Sequence, residues 1–153
     1  TDGVEMSDIS SEEALQRALL NLHGAIDESG AEITHGPLPI VRADPTQLTQ
    51  LLQNLVGNAI KYQCPGTPRI HVSANRSSES KGAFSVQDNG IGIPPEYHEK
   101  IFQMFKQLNK SYEGTGIGLA LVRKTAERMN GKAGVESEPG KGSRFWIEFK
   151  AAP

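Results

Sequence analysis

Hydrophobic residues recur with a helical period in two stretches of the first half of the chain. The earlier stretch follows Ser10 and Glu13, which have the spacing of a capping box, and extends to Gly30. Its apolar positions are Leu15, Ala18, Leu19, Leu22, Ala25 and Ile26. The later stretch begins at Asp44 and Pro45, a capping side chain followed by proline at the first helical position. Its apolar stripe is Leu48, Leu51, Leu52, Leu55, Val56, Ala59 and Ile60. The pattern therefore predicts two amphipathic helices.

Alternating hydrophobic residues predict short strands around these helices. A weak opening strand is predicted at Val4 and Met6, and residues 31–42 are expected to be extended. A hairpin with a long polar loop is predicted from two alternating series, Ile70, Val72 and Ala74, then Phe84 and Val86. A second hairpin is predicted near the end of the chain, where a turn at 138–142 precedes Phe145, Ile147 and Phe149.

The remaining pattern completes the prediction of an α+β fold. A short amphipathic helix is predicted at 94–105, and a longer one at Ile117–Met129 is ended by Asn130 and Gly131. Helices and strands are interleaved, but hairpins require antiparallel pairing. Residues 1–153 are therefore expected to form one domain, a two-layer α/β sandwich in which a mixed, mainly antiparallel sheet is covered by helices on one face.

The composition narrows the class of partner. Hydrophobic residues make up 37% of the 153 residues, charged residues make up 22%, and the formal net charge is −2. A protein that binds nucleic acid or a membrane surface normally has an excess of basic residues, so neither contact is expected. The single cysteine, Cys64, excludes an internal disulfide. With no membrane-spanning run and no signal-peptide pattern in the sequence, we expect a cytoplasmic location.

Asp88 is a polar residue at a position where the pattern requires a hydrophobic one. It continues the alternating series of Phe84 and Val86, so its side chain is directed toward the predicted core. An unpaired buried carboxylate is costly, and Asp88 therefore needs a partner. Alternatively, Asp88 caps a turn at Asn89 and Gly90, as aspartate often does. The pattern alone leaves both interpretations open.

Asn54, Asn58 and Lys61 share one stripe of the second predicted helix, beside its leucine stripe. Asparagine is a poor helix former, and a pair of asparagines four residues apart in mid-helix requires a reason. Their side-chain oxygens could hold a hard cation such as Mg²⁺, while Lys61 contacts an anion beyond it. On spacing alone, a solvated helix face is the simpler interpretation.

Glycines are concentrated in two short segments, 90–92 and 114–118. Glycine allows a backbone to approach a ligand closely, and the second segment also opens a helix, whose N-terminus favours phosphate. Two flexible turns are the alternative. Neither G-x-x-x-x-G-K-[ST] nor G-x-G-x-x-G occurs in the chain. Together with Asp88 and the asparagines, these segments predict a domain that binds a magnesium nucleotide.

Four short segments resemble the N, G1, F and G2 boxes of sensor histidine kinase ATP-binding domains, in the same order and spacing. They are QNLVGNAIKY (53–62), DNGIGIP (88–94), IFQMF (101–105) and GTGIGL (114–119). The closing segment ESEPGKGSRFWIEF (136–149) is similar to the last hairpin of those domains. The pattern as a whole is most similar to that of kinases attached to phytochrome-like and related multi-sensor proteins. The resemblance implies the Bergerat-type fold of the GHKL superfamily, which gyrase and mismatch-repair ATPases share.

The resemblance also implies roles for individual residues toward ATP and Mg²⁺. Asp88 is expected to accept a hydrogen from the adenine amino group, with Ser143 beside the same ring. Asn58 is expected to bind Mg²⁺ with support from Asn54, and Lys61 to contact phosphate. Tyr62 is expected to pack on adenine or ribose. The remaining ATP-binding positions lie in the two glycine segments and in a lid that spans residues 94–116. They are Gly90, Ile91, Gly92, Ile93, Phe102, Phe105, Gly114, Thr115, Gly116, Ile117, Gly118 and Leu119.

Two departures from the family pattern concern the chemistry. Hydrolysing relatives have a glutamate where this chain has Asn54, which cannot act as a general base, so we expect slow ATP hydrolysis. An arginine often follows the second lid phenylalanine, whereas this chain offers Lys106 and Lys110 as possible phosphate contacts. The resemblance therefore assigns no certain catalytic residue.

The resemblance also implies the partners of the domain. The four histidines, His23, His35, His71 and His98, lie in no phosphoacceptor motif. The acceptor is therefore expected on a separate helical dimerisation domain of the same protein, from which the phosphoryl group passes to the receiver domain of a response regulator. Without those helices, the chain is expected to be monomeric and unable to phosphorylate itself.

The sequence is also compatible with two other functions. A serine kinase of the anti-sigma type has the same boxes and needs no dimerisation domain. A nucleotide-sensing module without transfer activity is favoured by the altered lid sequence, especially Gln107.

Overall fold

The structure is a computed structural model that describes residues 6–61, 66–97, 116–129 and 131–150. Within these ranges the strands are β1 (Ser7–Ser10), β2 (Glu32–His35), β3 (Ile40–Ala43), β4 (Arg69–Arg76), β5 (Lys81–Asp88), β6 (Ala133–Ser137) and β7 (Ser143–Lys150). The helices are α1 (Ser11–Asn21), α2 (His23–Ser29), α3 (Pro45–Lys61) and α4 (Gly116–Arg128), with a 3-10 turn at Pro95–Tyr97. None of the helices in these ranges is both long and apolar enough to cross a membrane.

The main sheet has five strands in the order β2-β4-β5-β7-β6. β2 runs parallel to β4, and every other neighbouring pair is antiparallel. β1 and β3 form a separate antiparallel pair. The mixed, mainly antiparallel sheet and both predicted hairpins are therefore confirmed.

The helices cover one face of this sheet. Alternate residues of β4, β5 and β7 face the helices and are buried, including Val72, Val86 and Ile147. Residues on the opposite face, such as His71, Gln87 and Glu148, are exposed. The core is completed by the apolar stripes of α1, α3 and α4. The predicted two-layer arrangement is confirmed.

α3 begins and packs as its sequence predicts. The Asp44 carboxylate accepts a hydrogen bond from the Gln47 N–H at 3.0 Å, and Pro45 is the first helical residue. The seven residues of its predicted apolar stripe are all buried. Truncating one of the fully buried leucines to alanine is expected to cost about 2–5 kcal/mol. α3 is therefore the central helix of the core, and it places its polar stripe beside the sheet.

The prediction of one continuous first helix is wrong, because this stretch forms two helices, α1 and α2, that meet at Leu22. The Ser10 hydroxyl caps α1 as predicted, accepting from the Glu13 N–H at 3.2 Å, and Gly30 ends α2 with φ 71°. At the break, the His23 ring lies 2.9 Å from the Leu20 carbonyl oxygen. The same carbonyl also accepts a backbone N–H at the end of α1, so the ring contact accompanies the break.

The opening strand also differs from the prediction. Met6 precedes β1 rather than forming part of it, and Val4 lies outside the described residues. Pairing with β3, from Ser7 opposite Ala43 to Ser10 opposite Ile40, sets the bounds of this strand. The position of the strand thus depends on its partner and not on its own side-chain alternation. Of the helix predicted at 94–105, only the 3-10 turn at Pro95–Tyr97 lies within the described residues.

Candidate functional site

Three polar side chains form a row across the ends of neighbouring strands. Asp88 is the last residue of β5, Ser143 is the first of β7, and Ser137 is the last of β6, paired with Ser143. Asp88 is 8% exposed and Ser143 is 5% exposed. As predicted, Asp88 points to the face occupied by Phe84 and Val86, which is the face that the helices cover. The row therefore lies between the sheet and the helices.

The Asp88 carboxylate is oriented by two backbone donors. Its Oδ1 accepts from the Gly90 N–H at 2.8 Å and from the Ser143 N–H at 3.1 Å. The bond to Gly90 is the turn-capping contact, so both interpretations of Asp88 are correct at once. Among the described residues no hydrogen bond to Oδ2 occurs. Oδ2 is therefore the oxygen with which Asp88 can accept a hydrogen from a ligand.

Burial raises the pKa of Asp88 above its ordinary value, and the N–H groups of Gly90 and Ser143 offset part of that rise. The net direction is upward, which means that loss of hydration outweighs the two hydrogen bonds for the charged form. A further donor at Oδ2 would stabilise the ionised carboxylate. The electrostatics thus favour a ligand that brings an N–H group to this atom.

Two glycines of the site are required by close backbone contact. Gly92 has φ 77°, and a Cβ there would lie 1.9 Å from the Glu138 carbonyl oxygen. Gly142 has φ 79°, and its Cβ would lie 2.1 Å from the Asp88 carbonyl oxygen. The Gly140 N–H donates to the Ile91 carbonyl at 2.7 Å between the same two segments. The segment after β5 thus packs directly on the β6–β7 turn, and side chains at both glycines would separate them.

Ser137 joins these two segments through its hydroxyl group. Its Oγ accepts from the Ile93 N–H at 2.7 Å and donates to the Gly142 carbonyl at 2.8 Å. It also lies 2.8 Å from the Ser143 Oγ. Neither Ser137 nor Gly142 was among the predicted site residues. The glycine-rich turn could have indicated Gly142, whereas a serine at the end of a strand gives no signal in the sequence.

The stripe on α3 is not uniformly solvated. Asn58 is only 7% exposed, and its buried Nδ2 has no hydrogen-bond partner among the described residues. Asn54 is half-buried and Lys61 is exposed. The interpretation as a solvated face is therefore wrong for Asn58, because a buried amide without partners is expensive in a helix that serves only structure. α3 packs against β5, so Asn58 lies on the element next to Asp88.

The described residues also limit what kind of metal site is possible. They contain no group of three or more His, Cys, Asp or Glu side chains that could hold a metal ion. Mg²⁺ usually keeps several waters and binds one or two protein oxygens together with substrate phosphates. In Asn58 the atom without a partner among the described residues is the Nδ2, a donor, so only the Oδ1 of the same amide can serve as a Mg²⁺ ligand. A single side-chain oxygen is enough when phosphates and water supply the others.

Several predicted site residues cannot be placed. Outside the described residues lie Tyr62, Phe102, Phe105, Lys106, Lys110, Gly114 and Thr115. Gly116, Ile117, Gly118 and Leu119 form the first turn of α4. The first N–H groups of a helix have no partners within the helix and favour an anion. The predicted phosphate contact at the start of α4 therefore stays a prediction.

Known proteins with similar sequences include phytochromes and sensor histidine kinases. The chain is 49% identical to cyanobacterial phytochrome A of Nostoc sp. over 138 residues, which is 89% of this chain and 18% of that phytochrome. It is 44% identical to the phytochrome-like protein Cph1 of Synechocystis sp. over 140 residues, 90% of this chain and 19% of that protein. The chain thus spans less than a fifth of the length of these relatives.

Solved structures with the same fold include histidine kinases. Full-length ShkA in complex with AMPPNP superposes with a TM-score of 0.82 and 32% sequence identity, covering 97% of this chain and 32% of that chain. The catalytic domain of histidine kinase ThkA gives a TM-score of 0.81 at 27% identity and covers 96% of both chains. The predicted resemblance to histidine kinase ATP-binding domains is confirmed. Residues 43–153 match the sequence profile of the histidine kinase-, DNA gyrase B- and HSP90-like ATPases, and the chain belongs to that family.

Proposed function

We propose that this chain is the ATP-binding catalytic domain of a sensor histidine kinase. It holds Mg²⁺-ATP for transfer of the γ-phosphoryl group to a histidine on a separate helical dimerisation domain. The phosphoryl group then passes from this histidine to an aspartate in the receiver domain of a response regulator. Membership of the ATPase family and similarity to histidine kinase structures support this proposal. The observation that supports it most directly is the orientation of the buried Asp88 carboxylate.

Asp88 is the residue that recognises adenine. Its Oδ1 is occupied by the N–H groups of Gly90 and Ser143, so Oδ2 accepts a hydrogen from the amino group of the base. Because Asp88 is 8% exposed, this hydrogen bond forms with little competition from water. Ser143 contributes its backbone N–H to the carboxylate and lies beside the base.

Residues of α3 and of the glycine segments hold the metal and the phosphates. Asn58 binds Mg²⁺ through its amide oxygen, with Asn54 one turn earlier, and Lys61 contacts phosphate. When bound, Mg²⁺ neutralises charge on the phosphate oxygens. Asn54 cannot deprotonate water, so the chain hydrolyses ATP slowly and keeps it for transfer. The candidate phosphate contacts in the lid at 94–116 are Lys106 and Lys110, which lie outside the described residues together with the lid residues Phe102 and Phe105.

Location and partners follow from the same proposal. The domain acts in the cytoplasm, where ATP and response regulators are found, and it contacts its own dimerisation domain. A net charge of −2 gives no basis for binding nucleic acid or an anionic membrane surface. By itself the chain is a monomer and does not phosphorylate its own histidines.

Calorimetric titration with AMPPNP, with and without Mg²⁺, tests the binding part of this proposal. We expect binding that Mg²⁺ strengthens and that Asp88→Asn abolishes. The control is Asp27→Asn, which makes the same chemical change at an exposed position of α2. Absence of nucleotide binding by the folded chain would contradict the proposal.

Transfer is tested by incubating the chain with ATP labelled at the γ-phosphate and a helical dimerisation domain that carries its acceptor histidine. Label that is stable in base and labile in acid, as phosphohistidine is, supports a histidine kinase. Acid-stable label on serine of a protein substrate would instead identify the serine kinase. Nucleotide binding without transfer to any acceptor would identify the nucleotide-sensing module.

A further inference from the structure

The polar row at the end of the sheet contains a hydrogen-bond chain whose direction can be deduced. A serine hydroxyl has one hydrogen to donate and two lone pairs to accept with. The Ser137 Oγ has three neighbours, which are the Ile93 N–H at 2.7 Å, the Gly142 carbonyl at 2.8 Å and the Ser143 Oγ at 2.8 Å. An N–H can only donate and a carbonyl can only accept.

These restrictions determine the third contact. The single hydrogen of Ser137 goes to the Gly142 carbonyl, because two oxygen acceptors 2.8 Å apart otherwise repel each other. Ser137 therefore has only a lone pair left for Ser143. The contact between the two hydroxyl groups is a hydrogen bond only if Ser143 donates it.

This direction determines what Ser143 can offer to a ligand. Its hydroxyl hydrogen is committed to Ser137, and its backbone N–H is committed to the Asp88 Oδ1. The Ser143 Oγ thus keeps only lone pairs. Asp88 and Ser143 are neighbours on adjacent strands and face the same side of the sheet, so a base placed against them meets two acceptors, Asp88 Oδ2 and Ser143 Oγ.

We propose that Ser137 is a specificity-determining residue that acts through Ser143: it holds the Ser143 hydroxyl as an acceptor, so the site selects 6-amino purines over 6-oxo purines. The inference rests on the proposed function, in which the base lies against Asp88. A 6-amino group brings hydrogens to the two acceptors. A 6-oxo group brings a third acceptor, and its desolvation is then uncompensated. Ser137 is thus a positioning residue that does not itself contact the base.

The experiment compares dissociation constants for ADP and IDP in the presence of Mg²⁺, for the parent chain and for Ser137→Ala. ADP and IDP have the same phosphates and differ at position 6 of the purine and at the adjacent N1, which is an acceptor in adenine and carries a hydrogen in hypoxanthine. Loss of Ser137 frees the Ser143 hydroxyl to turn and donate to the 6-oxo group. We expect the preference for ADP over IDP to fall about five- to tenfold, the value of one hydrogen bond.

A merely structural role of Ser137 predicts a different result. If Ser137 only holds the structure together, loosening of its contacts with Ile93 and Gly142 weakens the binding of both nucleotides equally. The ratio of the two dissociation constants is then unchanged. Ser137→Thr keeps a hydroxyl and is expected to restore the parent ratio. If Ser137→Ala does not fold, Ser143→Ala tests the same acceptor directly, since removal of its oxygen is also expected to lower the preference for ADP.

The double variant Ser137→Ala with Ser143→Ala completes the test. In the Ser143→Ala background, Ser137→Ala is expected to leave the ratio unchanged, because Ser137 acts through Ser143. A parent ratio retained in Ser137→Ala or in Ser143→Ala, with ADP still bound, overturns this inference and leaves the proposed function intact. A folded parent chain that binds neither nucleotide overturns the proposed function and this inference with it.

Discussion

Replacement of Asp88 by asparagine is expected to abolish adenine binding without harming the fold. The Gly90 and Ser143 N–H groups both point at the position of Oδ1. In Asp88→Asn the amide oxygen must take this position, because an NH₂ group there would face two donors. The NH₂ group then takes the position of Oδ2 and is directed at the amino group of adenine. An acceptor is thus replaced by a donor where a ligand offers a donor.

The magnitude follows from two contributions. A hydrogen bond to a charged acceptor is worth about 1.5–3 kcal/mol, and leaving a buried donor unpaired costs about 1–3 kcal/mol. Together they amount to about 2.5–6 kcal/mol, which corresponds to a loss of affinity for ADP of about 60-fold or more. For IDP the new NH₂ group faces an oxygen, so the preference between the two nucleotides is expected to reverse.

Stability is expected to change in the opposite direction from binding. Burial raises the pKa of Asp88 despite its two backbone donors, so the charged carboxylate is destabilised in the native state. The neutral amide keeps both hydrogen bonds and loses the charge. We therefore expect Asp88→Asn to unfold thermally at the same temperature as the parent or higher.

Calorimetry with ADP and IDP, together with thermal unfolding followed by circular dichroism, tests this reasoning. Asp27→Asn on the exposed side of α2 is the matched control and should behave as the parent in both assays. An Asp88→Asn variant that binds ADP as tightly as the parent would refute the placement of the base. A variant that unfolds at a much lower temperature would refute the analysis of the buried charge.

Four further predictions concern the same site. As pH falls through the raised pKa of Asp88, the proton adds at Oδ2, so ADP affinity measured by calorimetry is expected to fall; affinity that does not change on acidification contradicts this. Between about pH 4, the ordinary pKa of a carboxyl group, and the raised pKa of Asp88, the native state binds more protons than the unfolded state. The contribution of Asp88 to the free energy of unfolding is therefore expected to decrease as pH rises through this range. Urea unfolding should show this decrease in the parent and not in Asp88→Asn. Gly140→Ala and Gly142→Ala introduce a side chain at the same φ of 79°, but only the Cβ at position 142 meets backbone atoms. Urea unfolding should show that Gly140→Ala lowers the free energy of unfolding by about 1 kcal/mol and that Gly142→Ala lowers it by about 1–3 kcal/mol more than that. Equal losses in the two variants would refute the close contact at Asp88. Asn58→Ala is expected to remove the gain in AMPPNP affinity on adding Mg²⁺, whereas Thr49→Val, which removes another buried and unpartnered polar group from α3, should keep that gain; equal behaviour of the two variants would exclude Asn58 as the ligand.

Much of the fold is predictable because its signals are local. Asp44 and Pro45 specify the start of α3 through a capping side chain and a fixed backbone angle, and neither depends on distant residues. The break at Leu22 is different, since a continuous apolar stripe conceals it and the contact between the His23 ring and the Leu20 carbonyl exists only in the folded chain. The bounds of β1 likewise depend on pairing with β3, which is about thirty residues away in the chain.

Residues of the candidate site likewise differ in whether the sequence alone reveals them. Asp88 is detectable because a carboxylate interrupts an alternating hydrophobic series, and Asn58 because asparagine is unusual in mid-helix. Gly142 is indicated only by the glycine-rich turn that contains it, and Ser137 is not detectable as a site residue, because its role exists only once the β6–β7 turn packs on the segment after Asp88. Ser137 and Ile93 are 44 residues apart in sequence, and no local pattern records that contact.

The central claim is that the Asp88 Oδ2 accepts a hydrogen from the amino group of adenine. A crystal structure of the chain with ADP and Mg²⁺ measures this contact directly. We expect the adenine amino nitrogen at roughly 2.7–3.2 Å from Oδ2, with Oδ1 still bonded to the Gly90 and Ser143 N–H groups. An adenine ring bound away from Asp88, or one whose amino group faces no carboxylate oxygen, would contradict the account.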